Sequence, residues 1–269
     1  MLINSFVFGV AYDTDAQAYI NAVEAADTAA GVSGGLETAT KDAINAFVAG
    51  CKADGIWTAI KASCILAGAR TLAGALVPLL PTMPAPSNVN GNLTNSDYNR
   101  KTGIGVASGN TSKALNTNVA ANNTNYTLQD SIHVAGYINS LISGSNPLIS
   151  ARPSDNTDFG QGSGILICRS RATTILSLGV STIIGYTGFF ASNRSESTVF
   201  TGRAGGNTAT SGSSASGTPA ATTFKVLANG NLTAWQNGKI SFYSIGESLD
   251  LALLDARVTA LINAFSTAF

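Results

Sequence analysis

Charged side chains are scarce in this sequence. They make up 11% of its 269 residues, where soluble domains usually carry about 25%. The 15 basic and 15 acidic residues cancel, so no long-range field steers the chain towards nucleic acid or an anionic membrane, and neither is expected as a partner. Weak repulsion between copies suits a subunit held in an assembly. Histidine occurs once, as His133, which removes zinc sites built from several imidazoles. The three cysteines, Cys51, Cys64 and Cys168, form no CxxC and sit among apolar residues, so buried thiols are expected. The RAGG stretch at 203–206 lacks the GK[ST] of a phosphate-binding loop. No uninterrupted run of about 20 apolar residues occurs, which argues against a membrane span. The most apolar segment, 56–80, is broken by Lys61 and Arg70. The first 15 residues lack the basic region and cleavage site of a signal peptide.

What is present changes character along the chain. Residues 13–77 are rich in alanine, with apolar residues at helical spacing. Asp13 or Thr14 can cap a helix over 15–29 with Ala16, Tyr19, Ile20 and Val23 on one face. A second helix over 36–53 carries Ile44, Phe47, Val48 and Cys51, and Gly55 ends it. Ile56, Trp57 and Ile60 then read as anchors. Residues 61–67 suit either a helical extension or a first strand. A short helix or crossover at 71–80 stops at prolines 78, 81, 84 and 86.

Beyond that seam the period falls to two. Strands are expected at 103–106, 114–116, 131–138, 147–150, 164–169, 173–179, 183–191, 197–201, 222–227 and 239–244, with 132–138 alternating as a half-buried strand. Residues 201–222 read as a long exposed loop or flexible hairpin, and Asn229-Gly230 and Asn237-Gly238 as tight hairpin turns. A last helix, capped by Ser248, presents Leu254, Val258, Leu261 and Phe265 on a nearly continuous apolar face. The expected fold is mainly β: an antiparallel β-sandwich or jelly roll as the body (88–244), an N-terminal helical arm (1–80) and a C-terminal helix (245–269) on the body or a neighbour.

Several ordered motifs carry a resemblance. They are Lys52-Ala53-Asp54-Gly55-Ile56-Trp57, Ala75-Leu76-Val77, Tyr98-Asn99-Arg100-Lys101-Thr102-Gly103, Gly109-Asn110-Thr111-Ser112-Lys113-Ala114-Leu115-Asn116-Thr117 and Phe242-Tyr243-Ser244-Ile245-Gly246-Glu247-Ser248-Leu249. Together they resemble tailed-phage and prophage virion structural proteins. The fourth motif looks like that class's strand-turn-strand element, with its second glycine absent and Ala114 where tyrosine is common. The resemblance implies a concanavalin-like, laminin-G-like jelly roll in a virion, as a capsid-decoration, collar, tail or baseplate subunit. Its partners would be other capsid or tail proteins and copies of itself, in a homo-oligomer such as a trimer. It implies no enzyme and no cofactor. The alternative is a carbohydrate-binding receptor module that takes a host-surface glycan.

The residues suggest two contact sets. Ile44, Phe47, Val48, Trp57, Leu254, Val258, Leu261 and Phe265 would make assembly contacts. Arg169, Arg171, Arg194 and Arg203, with Trp235, Tyr186, Phe189 and Phe190, would build a ligand surface from guanidinium forks and ring faces; edge charges and core aromatics are the plainer reading. His133 reads as a solvent-side or hydrogen-bonded strand residue rather than a base. Asp155, Asn156 and Asp158 offer oxygen donors that suit calcium, but not at EF-hand spacing, and Asx turns share the composition. No strand carries the alternating carboxylates of a glycosidase.

Overall fold

The structure, a computed structural model, describes residues 11–109, 111–141, 146–162, 164–180 and 184–269. The apolar start, Asn110 and the start of the strand expected from 183 lie outside the described residues.

Asp13 caps helix α1 (Thr14–Ala29), its carboxylate accepting from the Asp15 amide at 2.9 Å. Helix α2 (Thr38–Ala53) follows. Strand β1 (Ile60–Ile65) resolves the ambiguity at 61–67, and α3 (Leu72–Ala75) is a single turn. The strands then run β2 (Ser87–Asn88), β3 (Tyr98–Asn99), β4 (Gly103–Val106), β5 (Leu115–Ala120), β6 (Ile132–Leu141), β7 (Pro147–Ser150), β8 (Asp158–Gly162) and β9 (Ile165–Arg169). They continue with β10 (Leu176–Ser177), β11 (Gly188–Arg194), β12 (Thr201–Ala204), β13 (Asn207–Thr210), β14 (Thr223–Val226) and β15 (Gly238–Gly246). Helix α4 (Leu251–Ala268) closes the chain and is capped by Asp250, which accepts from Ala252 N and Leu253 N, rather than by Ser248.

The strands form two antiparallel sheets. The first has eight, in the order β13-β12-β11-β6-β15-β4-β3, with β1 also paired to β15. One edge of β15 is shared: β4 takes 238–240 and β1 takes 242–246. The segment expected as a helical arm therefore contributes a strand to the sheet. The second sheet has seven, in the order β10-β9-β8-β7-β14-β5-β2. Side chains such as Ile132, Val134, Phe159, Phe190 and Phe224 fill the space between the sheets. A second core joins α1, α2 and α4 to the outer side of the first sheet through Ala135, Tyr137, Phe189, Ala191 and Phe242.

That second core changes the reading of β6. The expected alternation is present, but the opposite face lies under the helices, so the strand is buried on both sides rather than half-buried. All three cysteines are free, buried thiols.

Residues 158–162 form β8, since Phe159 alternates inward between Asp158 and Gly160. Residues 201–210 form the β12–β13 hairpin, so the strand expected at 197–201 starts at its end. Neither Asn-Gly pair makes a two-residue hairpin. Asn229 closes a wider loop, its Oδ1 accepting from Thr233 N and Ala234 N. Gly238 lies within the first sheet, where a Cβ would meet Ser140 O at 2.7 Å.

Candidate functional site

The residues expected to make assembly contacts are mostly interior to this chain. Ile44, Phe47, Val48, Leu254, Val258, Leu261 and Phe265 are all buried between the helices and the first sheet. Phe47 meets Phe242 edge-on at 5.6 Å between centroids, and Arg257 grips Asp54 with two hydrogen bonds of 2.6 and 2.8 Å, joining α4 to α2. The apolar stripes find their partner in the chain's own first sheet, whose outer face is apolar at Ala135, Tyr137, Phe189, Ala191 and Phe242. Among the described residues α4 is the one helix long and apolar enough to cross a membrane, and its stripe lies on that sheet. Trp57 is half-buried, with the Lys52 ammonium 5.7 Å from its ring centroid.

The eight residues expected as a ligand surface do not form one surface. Arg171 and Arg194 are 1% and 0% exposed. Arg194 donates to the carbonyls of Ser170, Glu196 and Ser214 and lies over the Phe200 ring at 5.4 Å. Arg171 donates to Ala121 O and to Thr127 Oγ1. These arginines anchor residues 211–220, which cross the end of the sandwich. Gly217 N donates to Arg171 O, Ala220 N to the Asp155 carboxylate, and Ser216 Oγ to Asp130. A glycine- and serine-rich segment that reads as free loop is thereby tied down from beneath. Arg203 pairs with Asp255 of α4. Trp235 packs against Val89, Ala114 and Ala228 in a separate small cluster. Phe190 stacks on Phe159 in the intersheet core at 4.3 Å, and Phe189 faces the helices.

His133 is wholly buried, which corrects the solvent-side alternative and leaves the hydrogen-bonded one. Its Nδ1 lies 2.6 Å from Glu247 O and its Nε2 2.8 Å from Ser244 Oγ. A carbonyl only accepts, so Nδ1 carries the proton and Nε2 accepts from the serine. A serine hydroxyl on a histidine nitrogen is the start of a nucleophilic arrangement. Here, however, a backbone carbonyl replaces the orienting carboxylate, and Ser244 is 0% exposed. Burial holds the imidazole pKa down at about 4. No substrate reaches this pair.

The loop considered for calcium is otherwise engaged. Asp158 accepts from Arg169 Nη1 at 2.9 and 3.0 Å, and Asp155 accepts from Ala220 N. Among the described residues no group of three or more His, Cys, Asp or Glu side chains could hold a metal ion.

The outer face of the second sheet has no helix on it, and a polar row crosses it. Cross-strand register aligns Arg169 (β9), Asp158 (β8), Ser150 (β7), Lys225 (β14), Asn116 (β5) and Ser87 (β2). Each lies one residue from an inward apolar side chain, as the two-residue period requires. Arg152, just past β7, reaches Asp158 at 3.5 Å. Lys225 Nζ donates to Asn116 Oδ1 at 3.0 Å and to Thr223 Oγ1, and burial lowers its pKa. Arg169, Asp158, Ser150 and Lys225 are buried, Asn116 is half-buried and Ser87 exposed. Of these, Arg169 and Asp158 stand out in the sequence. The available signal was Lys225 alternating with Phe224 and Val226, which marks an outward position in a strand.

No family model and no curated protein matches this sequence. Among solved structures, the binding domain of botulinum neurotoxin serotype D is similar at a TM-score of 0.50 and 12% identity, the match covering 75% of this chain and 51% of that one. This chain therefore spans about half the length of that domain. Domain 4 of AbnA, an extracellular arabinanase from Geobacillus stearothermophilus solved with arabinotriose, matches 73% of this chain and 97% of its own at 14% identity and a TM-score of 0.39. At 12% identity the likeness to the neurotoxin domain is one of fold. The chain is a mainly-β, lectin-like jelly-roll sandwich of two antiparallel sheets, with helices at its N-terminal and C-terminal ends.

Proposed function

We propose that this protein is a noncatalytic binding module that recognises a saccharide on a host surface. The carrying observation is the asymmetry of the sandwich: helices cover one sheet, while the outer face of the other carries a charged and polar row, buried at Arg169, Asp158, Ser150 and Lys225 and reaching solvent at Asn116, Ser87 and the adjoining Arg152. Its only imidazole is buried and neutral, so it offers no general base to a bound ligand. The likeness to a toxin's binding domain supports the same reading at the level of fold.

A second reading concerns where the module works, and the motifs from Lys52 to Leu249 favour it. The module is a structural subunit of a tailed-phage virion, carried on the head, collar, tail or baseplate, with its helical side towards the particle and its free sheet outward. It would assemble with other virion proteins and with copies of itself, as a trimer for example. Mass photometry of the purified protein, alone and mixed with particles lacking it, tests this reading. A discrete oligomer that attaches stoichiometrically supports it, and a monomer that ignores the particles overturns it. Saturable binding on an oligosaccharide array supports recognition, and a blank array overturns it.

A further inference from the structure

We infer that the free sheet takes a saccharide bearing a carboxylate, seated between Lys225 and Arg152. This rests on the saccharide-binding reading and narrows it to a ligand class.

The argument begins with charge. In a chain whose formal charges cancel, the polar row and its neighbour Arg152 hold three cations, Arg152, Arg169 and Lys225, against one carboxylate, Asp158. That carboxylate is occupied: Arg169 takes both its oxygens and Arg152 approaches one of them. Among the described residues no carboxylate lies within ion-pair distance of Lys225. Its ammonium has three protons and two neutral oxygen partners, on Asn116 and Thr223. A buried cation without a counter-charge is unfavourable, so its persistence in the middle of the sheet needs a reason.

An anionic ligand supplies one. Lys225 and Asp158 stand on strands two apart, about 10 Å at the usual strand spacing. Arg152 reaches in above Asp158 with its side chain 38% exposed, and its Nε is without a protein partner. The Asn116 carboxamide oxygen is already taken by Lys225 and by Asn118 N, which leaves its NH2 group to serve as a donor. Two cationic donors and an amide donor across this span match a sugar carboxylate flanked by hydroxyls. A neutral sugar would leave the excess charge unanswered. The buried Arg169–Asp158 pair is the floor that holds Arg152 in place.

Calorimetric titration of the full chain tests this, with galacturonic-acid trisaccharide and sialyllactose as acidic probes and galactotriose and lactose as their neutral counterparts. The acidic sugars should bind, the neutral ones at least about tenfold more weakly, with affinity falling as salt rises. Lys225→Met and Arg152→Gln should each weaken acidic-sugar binding by about tenfold or more, while Lys41→Met, on the helical side, leaves it unchanged. Arg152 is partly exposed, so its variant carries the test if the Lys225 variant does not fold. Neutral sugars bound equally well, or both variants binding like the parent, would overturn the carboxylate seat and leave saccharide recognition standing. Citrate bound as tightly as the acidic sugars would reduce the site to a plain anion site and overturn it too. Binding of neither sugar class removes the recognition reading and this inference with it.

Discussion

The guanidinium of Arg203 meets the carboxylate of Asp255 at 2.8 Å, tying strand β12 to helix α4 with both side chains about 15% exposed. Thr208 accepts a second bond from the arginine, and Thr259 donates to the other carboxylate oxygen. A pair held this way resists solvent screening better than a free surface pair. A double-mutant cycle with Arg203→Ala and Asp255→Ala, read by urea unfolding, should give a coupling energy of about 1 kcal/mol. Additive single effects would mean the contact contributes nothing beyond its separate side chains.

His133 gives stability a pH dependence of known sign. Burial lowers its pKa from 6.5 to about 4, so between these values the unfolded chain binds more protons than the folded one. Stability is therefore complete above about pH 6.5 and falls as the pH drops through the window, by about 3 kcal/mol at its lower end. Glu37, held at about 2 by Arg100, loses its contribution only below the ordinary carboxylate range, so the upper part of the slope belongs to the histidine alone. Urea midpoints from pH 7 to 5 should show the decline in the parent and a flat line in His133→Gln.

The anchoring of residues 211–220 predicts a protease phenotype. Arg194→Leu would strand the carbonyls of Ser170, Glu196 and Ser214, a loss of about 3 kcal/mol or more. Limited subtilisin digestion of the parent should spare this segment, and the variant should be nicked within it before anywhere else. Equal cleavage rates would show that the arginine does not hold it.

Phe47 separates an internal role from an assembly role. Phe47→Ala should destabilise the chain by about 3–5 kcal/mol, because it empties a buried site against Phe242. An assembly contact behaves differently: stability of the isolated chain would be unchanged and only association would suffer. Thermal unfolding and sedimentation on one sample tell the two apart.

The cysteines should be silent. Burial pushes the thiols of Cys51 and Cys64 up to about 12 and that of Cys168 further, and thiolate is the reactive form. Ellman's reagent should modify none of the three in the native chain and all of them in denaturant.

Whatever depends on near neighbours is legible in the order of the residues. The stripe of Ala16, Tyr19, Ile20 and Val23 places α1, and the apolar face from Leu254 to Phe265 places α4. The alternation from Ile132 to Ile138 and around Phe224 places two strands, and turn residues between short strands point to a sandwich. Each of these signals repeats at the period of the element it specifies, so a local reading suffices. The tertiary structure decided whatever depends on which surfaces meet. Only the stacking of helices on the first sheet makes β6 buried on both faces, seals His133 against Ser244, and turns expected assembly residues into core. Arg194 looks like a surface charge until the distant glycine- and serine-rich segment brings Ser214 O to it, and Arg171 does until the fold brings it Ala121 O and Thr127 Oγ1. The row from Arg169 to Ser87 draws one residue from each of six strands, and no sequence spacing connects them. Antiparallel register alone brings them to one face, and register is set by contacts between segments far apart in the chain.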